Sequence, residues 1–217
     1  ERVRYEGDAV PEEVLIDYEI LGSAPHALLS AGIGDVLSCL TALADWELAV
    51  AQGINPAWDE EGAAASERYV NALAAAAPEI AVRSEAGIRS LMELHREIGW
   101  RCHALGHARF EEGSEHFFAY CFEAVTGRTI MHGELVVMGV LVMTALTGIG
   151  HERAHAIVSA AGTRWRLRDL GVAWSEVEAT LRALPAFARE GGYWYSHAHT
   201  LTIGDQELAT VRRALGA

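Results

Sequence analysis

After the first 22 residues, apolar side chains recur at helical spacing along almost the whole chain. Before that point Val14-Leu15-Ile16 is a short apolar run closed by Asp17, and it reads as one strand. Pro25 opens a short helix that Gly32 ends. Asp35 then caps a helix to about Gln52, with Leu37, Leu40, Leu43, Trp46 and Val50 as its core stripe. A loop containing Pro56 fills Gly53–Gly62. The Ala-rich stretch Ala63–Ala77 is a helix, and Pro78 separates it from another that continues to about Leu105. Ser114 is placed to cap a helix to Val125. Helices follow over His132–Leu146, His151–Ala161 and Trp174–Leu184, and after an aromatic segment a last one starts at Asp205. The pattern predicts one mostly α domain, without repeats, carrying a short strand remnant near residues 14–17.

Composition narrows the chemistry. Of 217 residues, 51% are apolar and 22% charged, which excludes intrinsic disorder. A net charge of −13 argues against nucleic acid and against anionic membranes as partners. All 17 basic residues are arginine, so a lysine Schiff base and a P-loop are excluded. Cys39, Cys102 and Cys121 have no motif spacing and read as reduced core thiols of a cytoplasmic protein. The uncharged run Leu135–Gly150 falls short of the roughly 18–20 residues that span a bilayer, so a buried helix is expected there. Glu1-Arg2-Val3-Arg4 has no apolar core of the signal-peptide kind and no initiator Met, so the native start is expected elsewhere.

Three short motifs carry metal-capable side chains: Gly34-Asp35, Ser114-Glu115-His116 and His132-Gly133-Glu134. Each falls at the start of a predicted helix, where the positive end of the dipole disfavours imidazolium and leaves a neutral, metal-binding ring. Two histidines and a carboxylate leave a coordination position open for substrate. The plainer alternatives are that Asp35 is a cap and that His116 and His132 are loop-end residues. Glu115 and Glu134 can orient the neighbouring rings or serve as favourable first-turn acids. His151-Glu152-Arg153-Ala154-His155 matches the H-E-x-x-H pattern, against the reading of a solvated helix face. His197 and His199, beside Tyr193, Trp194 and Tyr195, read as a packed aromatic segment in a strand or extended loop. His103 and His107 read as decoration of a helix C-terminus.

The segment Ala31-Gly32-Ile33-Gly34-Asp35-Val36-Leu37-Ser38, followed by Ala42-Leu43-Ala44-Asp45-Trp46-Glu47-Leu48-Ala49, resembles the opening of the helical domain of sn-glycerol-1-phosphate dehydrogenases. These belong to the superfamily of iron-containing alcohol dehydrogenases, glycerol dehydrogenases and dehydroquinate synthases. Gly113-Ser114-Glu115-His116 and His132-Gly133-Glu134 are similar to its two later motifs, in the same order. Val14–Asp17 with Ala24-Pro25 resembles the last strand of the superfamily's first domain and the crossing into the second. The resemblance implies an α-helical, dehydroquinate synthase-like metal-binding domain over residues 23–217. Residues 1–22 would be the end of a Rossmann-like domain or an interdomain segment. Asp35, His116 and His132 would bind one Zn²⁺ or Fe²⁺ that polarises a substrate carbonyl for hydride transfer.

Two departures from the family pattern bear on function. The Rossmann-like domain with its glycine-rich loop is missing, and Gly32-x-Gly34 is no substitute, so NAD(P)H enters only if that domain is supplied. Ahead of Gly-Ser-Glu-His the glycerol-phosphate enzymes tend to show Ser-Arg-Pro-x-Ser, whereas here stands Ala108-Arg109-Phe110-Glu111-Glu112. Arginine is kept, but Glu112 adds an anion that repels phosphate. A neutral or weakly charged hydroxy or carbonyl compound is therefore expected as substrate, with Ser38, Ser114 and helix N-termini as hydrogen-bond partners. The leading expectation is the metal-binding half of an NAD(P)-linked alcohol or polyol dehydrogenase. The alternatives are a stand-alone non-redox metalloenzyme (lyase, isomerase or hydrolase) and a non-catalytic homologue. Assembly into a homo-oligomer is compatible with each.

Overall fold

The computed structural model describes residues 11–54 and 57–217; Glu1-Arg2-Val3-Arg4, Pro56 and the first ten residues of the expected 1–22 segment lie outside that description. Among the described residues there is no strand. Val14 and Leu15 stand 50% and 85% exposed in extended backbone. A lone apolar run has no ladder partner here to take up its backbone groups, so the expected strand does not form. Asp17 closes the run in a different way. Its carboxylate accepts from the N–H groups of Glu19 and Ile20, each at 3.0 Å, and caps α1 (Tyr18–Ser23).

The rest is helical: α2 (His26–Leu37), α3 (Cys39–Ala51), α4 (Glu60–Ala81), α5 (Glu85–Leu105), α6 (Ser114–Thr126), α7 (His132–Thr147), α8 (His151–Ala160), α9 (Leu167–Leu170), α10 (Trp174–Glu190), α11 (His197–Thr200) and α12 (Asp205–Ala214). The mostly α expectation is met, with corrected boundaries. Gly32 does not end the second helix, which runs on to Leu37, and Asp35 is therefore not an N-cap but a residue of its last turn. Pro78 and Pro185 lie inside α4 and α10 rather than bounding them. Each proline removes one N–H, but burial of Ala77, Ile80, Leu184 and Ala188 around them outweighs that local loss.

Helix α7 is the centre. Every residue from Gly133 to Thr144 is buried, the mark of a helix surrounded on all sides. Helices α2, α6, α8 and α12 pack around it, with α10 behind α6, and α4 against α5. By length and composition the 26 residues His26–Ala51 could cross a membrane, yet their side chains Ile33, Val36, Leu37 and Trp46 are buried in the helical core.

Two crossings depend on glycine. A Cβ added at Gly34 would stand 2.1 Å from the carbonyl oxygen of Gly133, and one at Gly133 would stand 2.0 Å from that of Ala31. Helices α2 and α7 therefore meet backbone to backbone. Likewise a Cβ at Gly139 would stand 2.4 Å from the carbonyl oxygen of Glu115, fixing α6 on α7. Asp35 follows Gly34, His132 precedes Gly133, and His116 follows Glu115. The contacts that close the core thus set three side chains at one point.

Candidate metal centre

Those three side chains are Asp35, His116 and His132, whose ligand atoms all lie within 4.8 Å of one another. Asp35 Oδ1 is 3.8 Å from His116 Nε2 and 4.0 Å from His132 Nε2. Among the described residues this is the one group of three metal-capable side chains so arranged. The two distances from Asp35 exceed by under an ångström the roughly 3.3 Å edge of a tetrahedron of ligands around zinc. Asp35 Oδ1 is buried without a hydrogen-bond partner, an expensive state for a carboxylate oxygen unless a cation completes it. The donor set fits a divalent ion.

A buried carboxylate supports the set. Glu115 is fully buried; its Oε1 accepts from His116 Nδ1 at 2.8 Å and from the Gly113 N–H at 2.7 Å, and its Oε2 accepts from the Thr41 hydroxyl at 2.6 Å. With Nδ1 donating to Glu115, the Nε2 of His116 faces Asp35 as the coordinating atom. Burial works against the His116 imidazolium. The hydrogen bond and charge of Glu115, joined by the charges of Glu111 and Glu112, outweigh it and push this ring up to about 10. The helix dipole alone would keep His116 neutral, and at this position three carboxylates override it. His132 goes the other way, its ring pushed down first by burial and then by the charge of His116. Burial pushes the Glu111 carboxyl up to about 8, the charge of His116 opposing it.

These directions give a testable sign. At pH 7 His116 holds a proton that must leave before Nε2 can bind an ion, while His132 is already neutral. Binding of Zn²⁺ is expected to release between about one and two protons, the second drawn from Glu111, and apparent affinity should rise at least about tenfold per pH unit between pH 6 and 9. Calorimetry in buffers of different ionisation enthalpy measures the release. An affinity indifferent to pH, with no proton released, would remove His116 from the ligand set.

The other expected site residues divide by position. Glu112 accepts from the Tyr120 hydroxyl at 3.0 Å, and its charge acts on both His116 and His132. Ser38 is fully buried and donates to the Asp35 carbonyl at 2.8 Å, bracing the turn that carries the ligand. Ser114 is buried, and its N–H donates to Asp45 Oδ2 at 2.6 Å. Glu134 turns away: its Oε1 lies 3.4 Å from the Arg164 guanidinium. Arg109 is 2% exposed, donates to the Tyr195 carbonyl at 3.3 Å and lies 5.1 Å from the Trp194 ring centroid. Its place is under the aromatic segment, beside Asp45.

Among the described residues the H-E-x-x-H segment gathers no third ligand. His151 Nδ1 meets the Thr144 hydroxyl at 3.0 Å, Glu152 and His155 are exposed, and His155 sets its edge on Trp165. Asp45 and His197 escaped the sequence reading as partners. Asp45 Oδ1 accepts from both the backbone N–H and the Nδ1 of His197, each at 2.7 Å, so one carboxylate ties the start of α6 to α11. The only signal was an acid on the buried stripe Ala42, Asp45, Trp46, Ala49. His197 and His199 stand in the short helix α11, not in a strand.

The helical fold is shared with a protein of known structure. A probable glycerol dehydrogenase from Sinorhizobium meliloti 1021 superposes with a TM-score of 0.56 at 23% identity, over 92% of this chain and 56% of that one. In sequence, the chain is similar to glycerol-1-phosphate dehydrogenases [NAD(P)+]. That of Aeropyrum pernix is 30% identical over 171 residues, 79% of this chain and 48% of its own. Those of Sulfurisphaera tokodaii and Sulfolobus acidocaldarius are 31% and 33% identical over 75% of this chain and 46% of theirs. The chain thus spans about half the length of the curated relatives it matches. No family model matches it.

Proposed function

We propose that this chain supplies the metal-binding half of an NAD(P)-linked alcohol or polyol dehydrogenase acting on a small hydroxy or carbonyl compound. The observation that carries the reading is the convergence of Asp35, His116 and His132 around a buried, partnerless carboxylate oxygen, in a chain related to dehydrogenases. Zn²⁺ or Fe²⁺ held there would act as a Lewis acid on the substrate oxygen. Glu115 fixes the tautomer and plane of His116, and Ser38 fixes the turn of Asp35. Gly32-x-Gly34 lies inside α2, with Gly32 against His95 and Leu91 and Gly34 against Gly133, so neither glycine opens a phosphate-binding turn. The nicotinamide would be held by other residues.

A neutral substrate suits the charges. Glu112, anchored by Tyr120, stands with Asp35, Glu111 and Glu115 around the histidines, and Arg109 lies under Trp194 with one nitrogen donating to Tyr195. A phosphate dianion would meet repulsion from these carboxylates. The test assays the protein as its gene encodes it, with NADH and NADPH, on glycerone phosphate and dihydroxyacetone. Dihydroxyacetone should be reduced at least as efficiently. A kcat/KM a hundredfold higher for the phosphate, about 2.7 kcal/mol of transition-state binding, would assign a phosphate ester instead.

A further inference from the structure

The two histidines of the candidate centre are held in different ways. His116 has a carboxylate on its second nitrogen. Among the described residues no hydrogen bond reaches either nitrogen of His132, whose ring instead lies against that of Tyr120, centroids 5.7 Å apart and planes within 17°. Tyr120 follows His116 by one turn of α6, and the two rings are 6.0 Å apart. It therefore touches both histidines. The tyrosine is itself fixed at two points: its hydroxyl donates to Glu112 Oε1 at 3.0 Å, and its other face stacks on Tyr193, 6.0 Å away at 22°. Tyr193 stacks in turn on Phe117 at 4.6 Å. A ladder of flat rings thus runs from the buried core to His132, which is 41% exposed on the side chain and whose ring also meets that of His116, tilted by 43° at 5.2 Å.

We propose that Tyr120 is the positioning residue for His132, doing by stacking what Glu115 does for His116 by hydrogen bonding. Ligating histidines are as a rule oriented by an acceptor on the second nitrogen, and removing that partner weakens metal affinity 10–100-fold. Here the fixed plane of Tyr120 limits the plane of His132 and keeps its Nε2 turned toward Asp35. The phenol oxygen matters less than the ring, because it donates to Glu112 and not to the imidazole.

The proposal rests on the metal reading, and Co²⁺ titration of the wild-type chain, followed by visible absorption, separates the two. Wild type is expected to bind Co²⁺ with a four- or five-coordinate spectrum. Y120F should keep both affinity and spectrum to within about threefold. Y120A, and Y120L as a variant that preserves bulk without planarity, should bind 10–100-fold more weakly with a changed spectrum. In the ion-free protein, the upfield ring-current shift of the His132 carbon-bound protons should persist in Y120F and vanish in Y120L. If wild type binds and Y120L binds equally well with the same spectrum, the positioning role is overturned and the metal reading stands. If wild type binds neither Co²⁺ nor Zn²⁺, both are overturned.

Discussion

Asp35→Ala is expected to lower Zn²⁺ affinity by more than a hundredfold while leaving thermal stability within about 1 kcal/mol of wild type. Four-ligand zinc sites bind with roughly 10–16 kcal/mol, so each ligand accounts for about 3 kcal/mol, more than a factor of 100. Stability should barely change because the lost group contributes little to the ion-free fold. Asp35 Oδ1 has no hydrogen bond, its nearest nitrogens are 3.8 and 4.0 Å away, and its side chain is 38% exposed. Partly exposed charge pairs of that separation are worth a fraction of a kcal/mol. Glu115→Gln should behave differently. It halves the acceptor capacity facing Thr41, Gly113 and His116 in a fully buried place, so both affinity and stability should fall. Zinc calorimetry beside thermal melts measures each pair of effects. Unchanged zinc affinity in Asp35→Ala would remove the carboxylate from the centre.

Gly133→Ala is expected to destabilise the domain by at least about 3 kcal/mol, enough to lower Tm by roughly 6–12 °C in a domain of this size. The sign opposes helix propensity, which favours alanine over glycine by about 1 kcal/mol. Here the new Cβ would fall 2.0 Å from the Ala31 carbonyl oxygen and 2.6 Å from its carbon, and backbone of α2 cannot step aside as a flexible side chain can. The helices must separate, carrying Asp35 away from His132. Gly99→Ala in α5 is the control. A Cβ there meets nothing within 4 Å, so that substitution should raise stability by roughly 0.5–1 kcal/mol. Denaturant melts of the two variants should move in opposite directions. Parallel shifts would mean that the α2–α7 crossing tolerates a methyl group.

The sequence by itself determined the helical character of the chain, because a 3.6-residue apolar period needs no knowledge of partners. It marked α7 as a core helix from an uncharged run, and it picked out Asp35, His116 and His132 from motif order. Tertiary structure decided what the period could not encode. Gly32 reads locally as a helix breaker, but it lies within α2, where, two residues on, the backbone contact of Gly34 with Gly133 leaves no room for a Cβ. Pro78 and Pro185 stay inside helices because burial of their neighbours outweighs one missing N–H each. Val14–Asp17 has the composition of a strand, but strand formation depends on a ladder partner that no local pattern supplies. The protonation of His116 was misjudged from its helix position alone, since Glu111, Glu112 and Glu115 converge on it only once the chain has folded. Asp45 and His197, 152 residues apart, are joined by a hydrogen bond that no spacing rule anticipates. Short-range periodicity is a property of the chain, whereas close approach, charge convergence and partner identity arise only when distant segments meet.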